Sequence, residues 1–176
     1  MNKLYLILFY FIIPNFSFPT DFKSSELNVR NDEVCSTLMN SILSDNKEKI
    51  KEILSKNKMF ANCELSSTAP GLGHEITKRP LTFAARLGRA EVMKSLIEAG
   101  AEIDFIDNGK TALLFAIDNF KPEIVEILIK NKANKKIKYD DFDSAFDYAK
   151  NWLDLARNFP GLLDNKKILK IVKLLK

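Results

Sequence analysis

One histidine, His74, is all the imidazole that the 176 residues hold. With a single ring, no group of His and Cys stands at zinc-ligand spacing, and the two cysteines, Cys35 and Cys63, belong to no local signature of a thiol nucleophile. Glycine and proline are scarce, six of each, so the chain is neither a linker nor a low-complexity protein. Charge of one sign is scarce too. The 27 Lys and Arg against 23 Asp and Glu leave a net +4, too little for a nucleic-acid binder that shows no reading motif. The longest apolar run, Leu4 to Ile13, has ten residues, short of the ~20 that cross a bilayer. What is abundant is hydrophobic side chain, 46% of the sequence, enough for a packed core in one ordinary domain.

The start of the chain differs from the rest. Lys3, the apolar run and then Pro14-Asn15-Phe16-Ser17 resemble a secretory signal peptide, with Ser17 the best candidate for the last residue removed. Residues 1–19 are therefore expected to be an export signal and 20–32, which are polar, a disordered spacer. An uncleaved, membrane-tethered form is the alternative.

From Glu33 the pattern is helical, with Val34, Leu38, Ile42 and Leu43 on one face, Asp32 as a cap, a break at Ser44-Asp45-Asn46, and Ile50, Ile53 and Leu54 beyond it. Then one pattern occurs twice. Arg79-Pro80-Leu81-Thr82-Phe83-Ala84-Ala85 is answered 32 residues later by Thr111-Ala112-Leu113-Leu114-Phe115-Ala116-Ile117. Behind each opener comes a second apolar helix, around Val92, Leu96 and Ile97 in one copy and Ile124, Val125 and Leu128 in the other. Leu81, Ala84 and Ala85 share one helical face; neither helix of a pair could bury its face alone. Gly100 and, in the next copy, Asn131 suit a left-handed stop, and Asp107-Asn108-Gly109 a tight turn.

This period resembles the ankyrin repeat, carried by Pro80, Leu81, Ala84, Ala85, Gly88, Glu91, Val92, Leu96, Ile97, Gly100, Ala101 and Asp104. The resemblance implies an all-α solenoid of about four helix-pair repeats with degenerate ends: repeats near 33–63, 79–107, 108–140 and 141–176, a loop insertion at 64–78 and another at about 150–164. The first pair lacks an opener and reads as a capping repeat. A fourth opener is Ser144-Ala145-Phe146-Asp147-Tyr148-Ala149. Departures from the family pattern are several. Arg79 stands for the capping threonine, Thr82, Leu114 and Asp147 stand for the histidine that normally ties neighbouring turns, and Phe120 stands for a glycine. Those ties are expected to be weakened. Cys35 and Cys63 flank the first pair, where antiparallel helices bring their ends together; export would permit a disulfide, and the cytosol would leave two thiols.

For function the resemblance implies a non-catalytic module that binds a protein partner, with no cofactor, no small-molecule substrate, no nucleic acid, and a monomeric state. The carried-over surface comprises Phe105, Ile106, Asn108 and Lys110 at a tip and Arg86, Leu87, Asp118, Asn119, Asn151 and Trp152 on the first helices. Against it stand two bland alternatives: Phe105 and Ile106 packing on the 64–78 loop, and Trp152 packing under its own insert. That loop is read as a tolerated insertion or a binding loop, and Gly71-Leu72-Gly73 is no phosphate loop. Cys35 or Cys63 with His74 makes no recognisable nucleophile pair, and Asp140, Asp141 and Asp143 read as turn residues. The last segment, Asn165 to Lys176, is a basic amphipathic helix, read as the end of the stack with weak membrane contact as the alternative. Abundant lysine, asparagine and isoleucine suggest an AT-rich genome; with a signal peptide this fits an exported, periplasmic or secreted bacterial protein, host-directed by analogy with ankyrin effectors.

Overall fold

Leu81, Ala84 and Ala85 become a core face because Pro80 can open a helix and Gly88 can close it. Pro80 has the fixed φ that suits a first turn, and Gly88 stops the helix at φ 76°. In the computed structural model, which describes residues 20–65, 78–159, 161 and 163–176, this logic recurs along the chain. The expected signal segment and most of the 64–78 insertion, His74 included, lie outside the described residues. The chain forms two compact units, 1–31 and Asp32–Lys176, and the stacked helix pairs belong to the second.

The helices are α1 (Thr20–Leu43), α2 (Lys47–Lys56), α3 (Pro80–Leu87), α4 (Ala90–Glu98), α5 (Ala112–Asp118), α6 (Pro122–Lys130), α7 (Ala145–Asn158) and α8 (Asn165–Leu175), with a 3-10 turn at Lys58–Asn62. There is no strand among the described residues. Helices α3, α5 and α7 stack as an inner row and α2, α4, α6 and α8 as an outer row. The inner row packs through alanine: Ala84, Ala85, Ala112, Ala116 and Ala149 have no exposed surface. The outer row contributes Ile50, Val92, Leu96, Ile124, Leu128, Ile168 and Ile171, all buried in the same core.

Junctions repeat as faithfully as helices. The residue that ends α3 is left-handed, Gly88 at φ 76°, as is Phe120 after α5 at φ 50°; Gly100 after α4 and Lys132 after α6 do the same at φ 91° and 65°. Lys132, not Asn131, makes the second outer stop; Asn131 keeps φ −93° and its amide donates to the Ile127 carbonyl instead. Phe120 tolerates glycine's place because its ring lies edge-on to Trp152, centroids 5.4 Å apart, which offsets a backbone cost of about 1 kcal/mol or more. Arg89 reaches back to the Leu43 carbonyl (3.0 Å) and Asp45 (3.6 Å). Thirty-two residues on, Lys121 lies against the backbone of Gly88, where a Cβ would meet its stem at 2.9 Å.

Two expectations are corrected. Residues 20–32 are the first turns of α1, which contains neither Gly nor Pro from end to end, and Asp32 is therefore inside a helix rather than capping one. Leu43 is 46% exposed, rotated off the buried stripe of Cys35, Leu38, Met39 and Ile42. The extra residues near 150–164 lengthen the repeat: α7 runs two turns longer than α5, carrying buried Leu153 and Ala156, and Asp164 then caps α8 by accepting from the Lys167 N–H at 3.1 Å.

Cys35 and Cys63 are brought together, Sγ to Sγ 2.14 Å and Cα to Cα 5.9 Å, joining α1 to the residue after the 3-10 turn. A crosslink spanning 28 positions is expected to add about 3–4 kcal/mol to unfolding stability through the denatured chain. Urea unfolding of the oxidised and the fully reduced protein should differ by that amount, and a Cys63→Ser variant should show no response to reductant.

Candidate functional site

The tip that precedes α5 is built on one buried carboxylate. Asp107 and Lys110 exchange backbone hydrogen bonds of 2.9 and 3.0 Å, and Asn108 and Gly109 turn the chain between them in left-handed conformations. Asp107 is 2% exposed. Its Oδ2 accepts from the Thr82 hydroxyl at 2.6 Å and from the Lys78 and Arg79 N–H groups at 2.7 and 3.0 Å. Three donors, one of them the cap residue's N–H, make a buried charge tolerable. So the tie expected to be weakened by loss of histidine is present here in another form, through a threonine hydroxyl.

Beside it, the Arg79 guanidinium lies 3.9 Å from the centre of the Phe105 ring, donates to the Asn62 carbonyl at 2.6 Å and pairs with Glu64 at 3.5 Å. Asn62 in turn holds the chain beyond α4: its amide donates to the Gly100 carbonyl (2.8 Å) and its Oδ1 accepts from the Glu102 N–H (2.8 Å). One repeat on, the Asp104 carboxylate holds the chain beyond α6 by accepting from the Asn134 N–H at 2.9 Å.

The next tip, Tyr139 to Phe142, keeps the turn and changes the chemistry. Tyr139 takes the place of Asp107, and Leu114, buried, takes that of Thr82. The rings of Tyr139 and Phe142 meet Tyr148 edge-on at 5.1 and 5.2 Å. Lys110 stands 5.0 Å over Tyr139 and 2.5 Å from Asp118, which also accepts from the Tyr148 hydroxyl. Burial first, and then the Asp118 carboxylate, push the Tyr148 phenol up to about 12. Burial opposes the charge on Lys110, but its bonds to Asp118 and Tyr139 outweigh it and raise the ammonium above its ordinary range.

The ten residues assigned to a binding surface are thus placed in different settings. Lys110 and Asp118 pair with each other inside the joint between repeats, and Trp152 packs against Phe120 and Tyr148. Phe105 is half-buried under Arg79, and Leu87 is half-buried against the core. Arg86 is half-buried at the end of α3, and the Asn119 amide folds back on the Phe115 carbonyl at 2.9 Å. Asn108, Asn151 and Ile106 are exposed, Ile106 by 57%. Asn62, Thr82 and Asp107 were not singled out as ties; the sequence signal was an Asp 25 residues after the opener's Thr82, legible only once the tip is known to fold back on the preceding repeat.

Reactive groupings are sparse among the described residues. No three His, Cys, Asp or Glu side chains converge as metal ligands. A groove between α2 and α4, about 360 Å³, is lined by Lys47, Lys51, Glu91, Lys94, Ser95 and Glu98; Glu91 and Lys94 form an ion pair there at 2.7 Å, and the Ser95 hydroxyl donates to the Glu91 carbonyl at 3.2 Å. Asp143 pairs with exposed Lys138 at 2.8 Å, which holds its carboxyl below its usual range.

Stacked helix pairs with hairpin-like tips on one edge define a repeat solenoid, a class whose surface rather than any pocket is its working part. A family model of ankyrin repeats, in three copies, matches residues 38–139, more than half of the chain, and the chain belongs to that family. A protein of Coxiella burnetii (strain RSA 493 / Nine Mile phase I) described as an ankyrin repeat protein is 40% identical over 60 residues, 34% of this chain. The match spans only 18% of that relative's length.

Replacing Asp107 by Ala leaves three donors without their acceptor and is expected to destabilise the fold by about 3 kcal/mol. Thr82→Val should cost about 1 kcal/mol, and in the Asp107→Ala background almost nothing. Urea unfolding of the two single variants and the double variant measures the coupling.

Proposed function

We propose that this chain is an exported, non-catalytic module that grips a protein partner along its tips and the neighbouring edge of the inner helices. The family supports a protein-binding role in general. The observation that carries the finer reading is Ile106: a large aliphatic side chain, 57% exposed, stands one residue before buried Asp107 on a tip held by three hydrogen bonds to the preceding repeat. An apolar group offered to water on a rigid support suits an interface anchor, because little ordering entropy remains to be lost on binding. Asn151 on α7 adds a polar contact on the same row of inner helices.

A photo-crosslinking side chain at position 106 is expected to trap a discrete partner, whereas the same group at exposed Lys94 on outer helix α4 should trap none. Ile106→Asp should abolish the adduct formed from position 151 without changing unfolding stability. Equal labelling from positions 106 and 94, or none from either, overturns the reading.

Export is supported by the basic start and apolar run at Lys3 to Ile13 and by the juxtaposed Cys35 and Cys63. No described helix is long and apolar enough to cross a membrane. Intact mass of the natively expressed protein, alkylated before any reduction, is expected to show loss of a segment near residues 1–17 and no alkylated cysteine. Full length with two alkylated cysteines would place the protein in a reducing compartment.

A further inference from the structure

Three of the four outer helices neutralise lysines locally. Lys49 and Lys56 pair with Glu52 at 2.9 and 2.6 Å on α2, Lys94 with Glu91 at 2.7 Å on α4, and Lys130 with Glu126 at 2.8 Å on α6. Helix α8, NKKILKIVKLL, contains no acid at all. Lys167 pairs with the cap residue Asp164 at 3.1 Å; Lys166, Lys170, Lys173 and Lys176 form no ion pair with any described residue. Across the seam, Glu126 is held mainly by Lys130 and feels Lys170 only as a weaker, longer-range charge.

At about 100° per residue, Lys166, Lys170 and Lys173 fall on one arc opposite the buried stripe of Ile168, Ile171, Val172 and Leu175, and exposed Lys176 follows the last helical residue. Leu169, 40% exposed, falls within the same arc. Phe159, 54% exposed, stands at the end of α7, just before the connection into α8.

We propose that the solvent face of α8 docks the protein on an anionic lipid surface. The charge is of one sign, without ion-pair partners, and carried on flexible stems, which suits a diffuse plane of anionic headgroups. A fixed acidic protein epitope would favour the bidentate geometry of arginine, and α8 has none. Leu169, within the lysine arc, supplies an apolar contact that a headgroup region accepts and bulk water does not. This surface is separate from the tips, so its failure leaves the protein-binding reading untouched.

The test is co-sedimentation of the natively processed protein, without the apolar segment at residues 1–17, with phosphatidylcholine vesicles, with and without about 30% phosphatidylglycerol, at low salt and at about 0.5 M NaCl. Binding is expected to favour the anionic vesicles by roughly tenfold or more and to be lost at high salt. Substituting Lys166, Lys170, Lys173 and Lys176 by Gln should remove that preference, while the same change at Lys47, Lys51, Lys132 and Lys136 should leave most of it. Circular dichroism checks that both variants fold, and the lipid and salt comparisons use the unaltered protein. Equal binding to both vesicles, no binding to either, or an α8 variant that binds as the unaltered chain does would overturn the proposal.

Discussion

The contact between inner helices governs everything else in this molecule. Ala84 and Ala85 on α3 and Ala112 and Ala116 on α5 are wholly buried, and a side chain no larger than a methyl lets the two helices approach closely. A larger residue there would push the repeats apart and misplace the tips, because a close-packed interior transmits a volume change rather than absorbing it. Each outer helix then lies against its own inner helix and beside the outer helices of the adjoining repeats. Burial of residues such as Leu96 and Leu128, worth about 1.5–3 kcal/mol each, holds it there.

Once the spacing is set, neighbouring tips must be joined, and the chain does so by two chemistries. Between the second and third repeats the joint is polar, with Asp107 reaching Thr82 and two backbone N–H groups. Between the third and fourth it is aromatic, with Tyr139, Phe142 and Tyr148 in contact and Lys110 and Asp118 closing one side. The polar joint depends on direction and fails if one donor moves, whereas the aromatic joint depends on area and tolerates small shifts. The second suits a boundary where α7 extends two turns beyond its counterpart, since Phe120 and Trp152 can continue the same ring contacts along the extension.

Helix faces were legible in the sequence because they are periodic. Leu81, Ala84 and Ala85 announce one buried face and Val92 and Leu96 the next, and both are buried in the structure. Ends were less legible. Lys132 rather than Asn131 takes the left-handed position, a choice made by the register of the Ala133 N–H on the Leu128 carbonyl, not by residue preference. Asp32 has the chemistry of a cap, but nothing before it breaks the helix. The ties at the tips were hidden for a different reason: Thr82 and Asp107, or Asn62 and Gly100, are separated by most of a repeat or more, and no local pattern encodes a contact of that span.

Those ties also decide which residues remain for a partner. Lys110, Asp118 and Trp152, expected from the family resemblance to face a partner, each already have contacts within the chain, and removing any of them for a partner would loosen the joint between the third and fourth repeats. A partner that used them would have to offset that loss. Ile106 carries no such obligation, because the tip below it is fixed through Asp107 and its own side chain faces water. In the proposed binding role, a scaffold whose inner edge is largely occupied by its own joints leaves the exposed tip side chains for a partner, where a residue such as Ile106 can change without disturbing the stack.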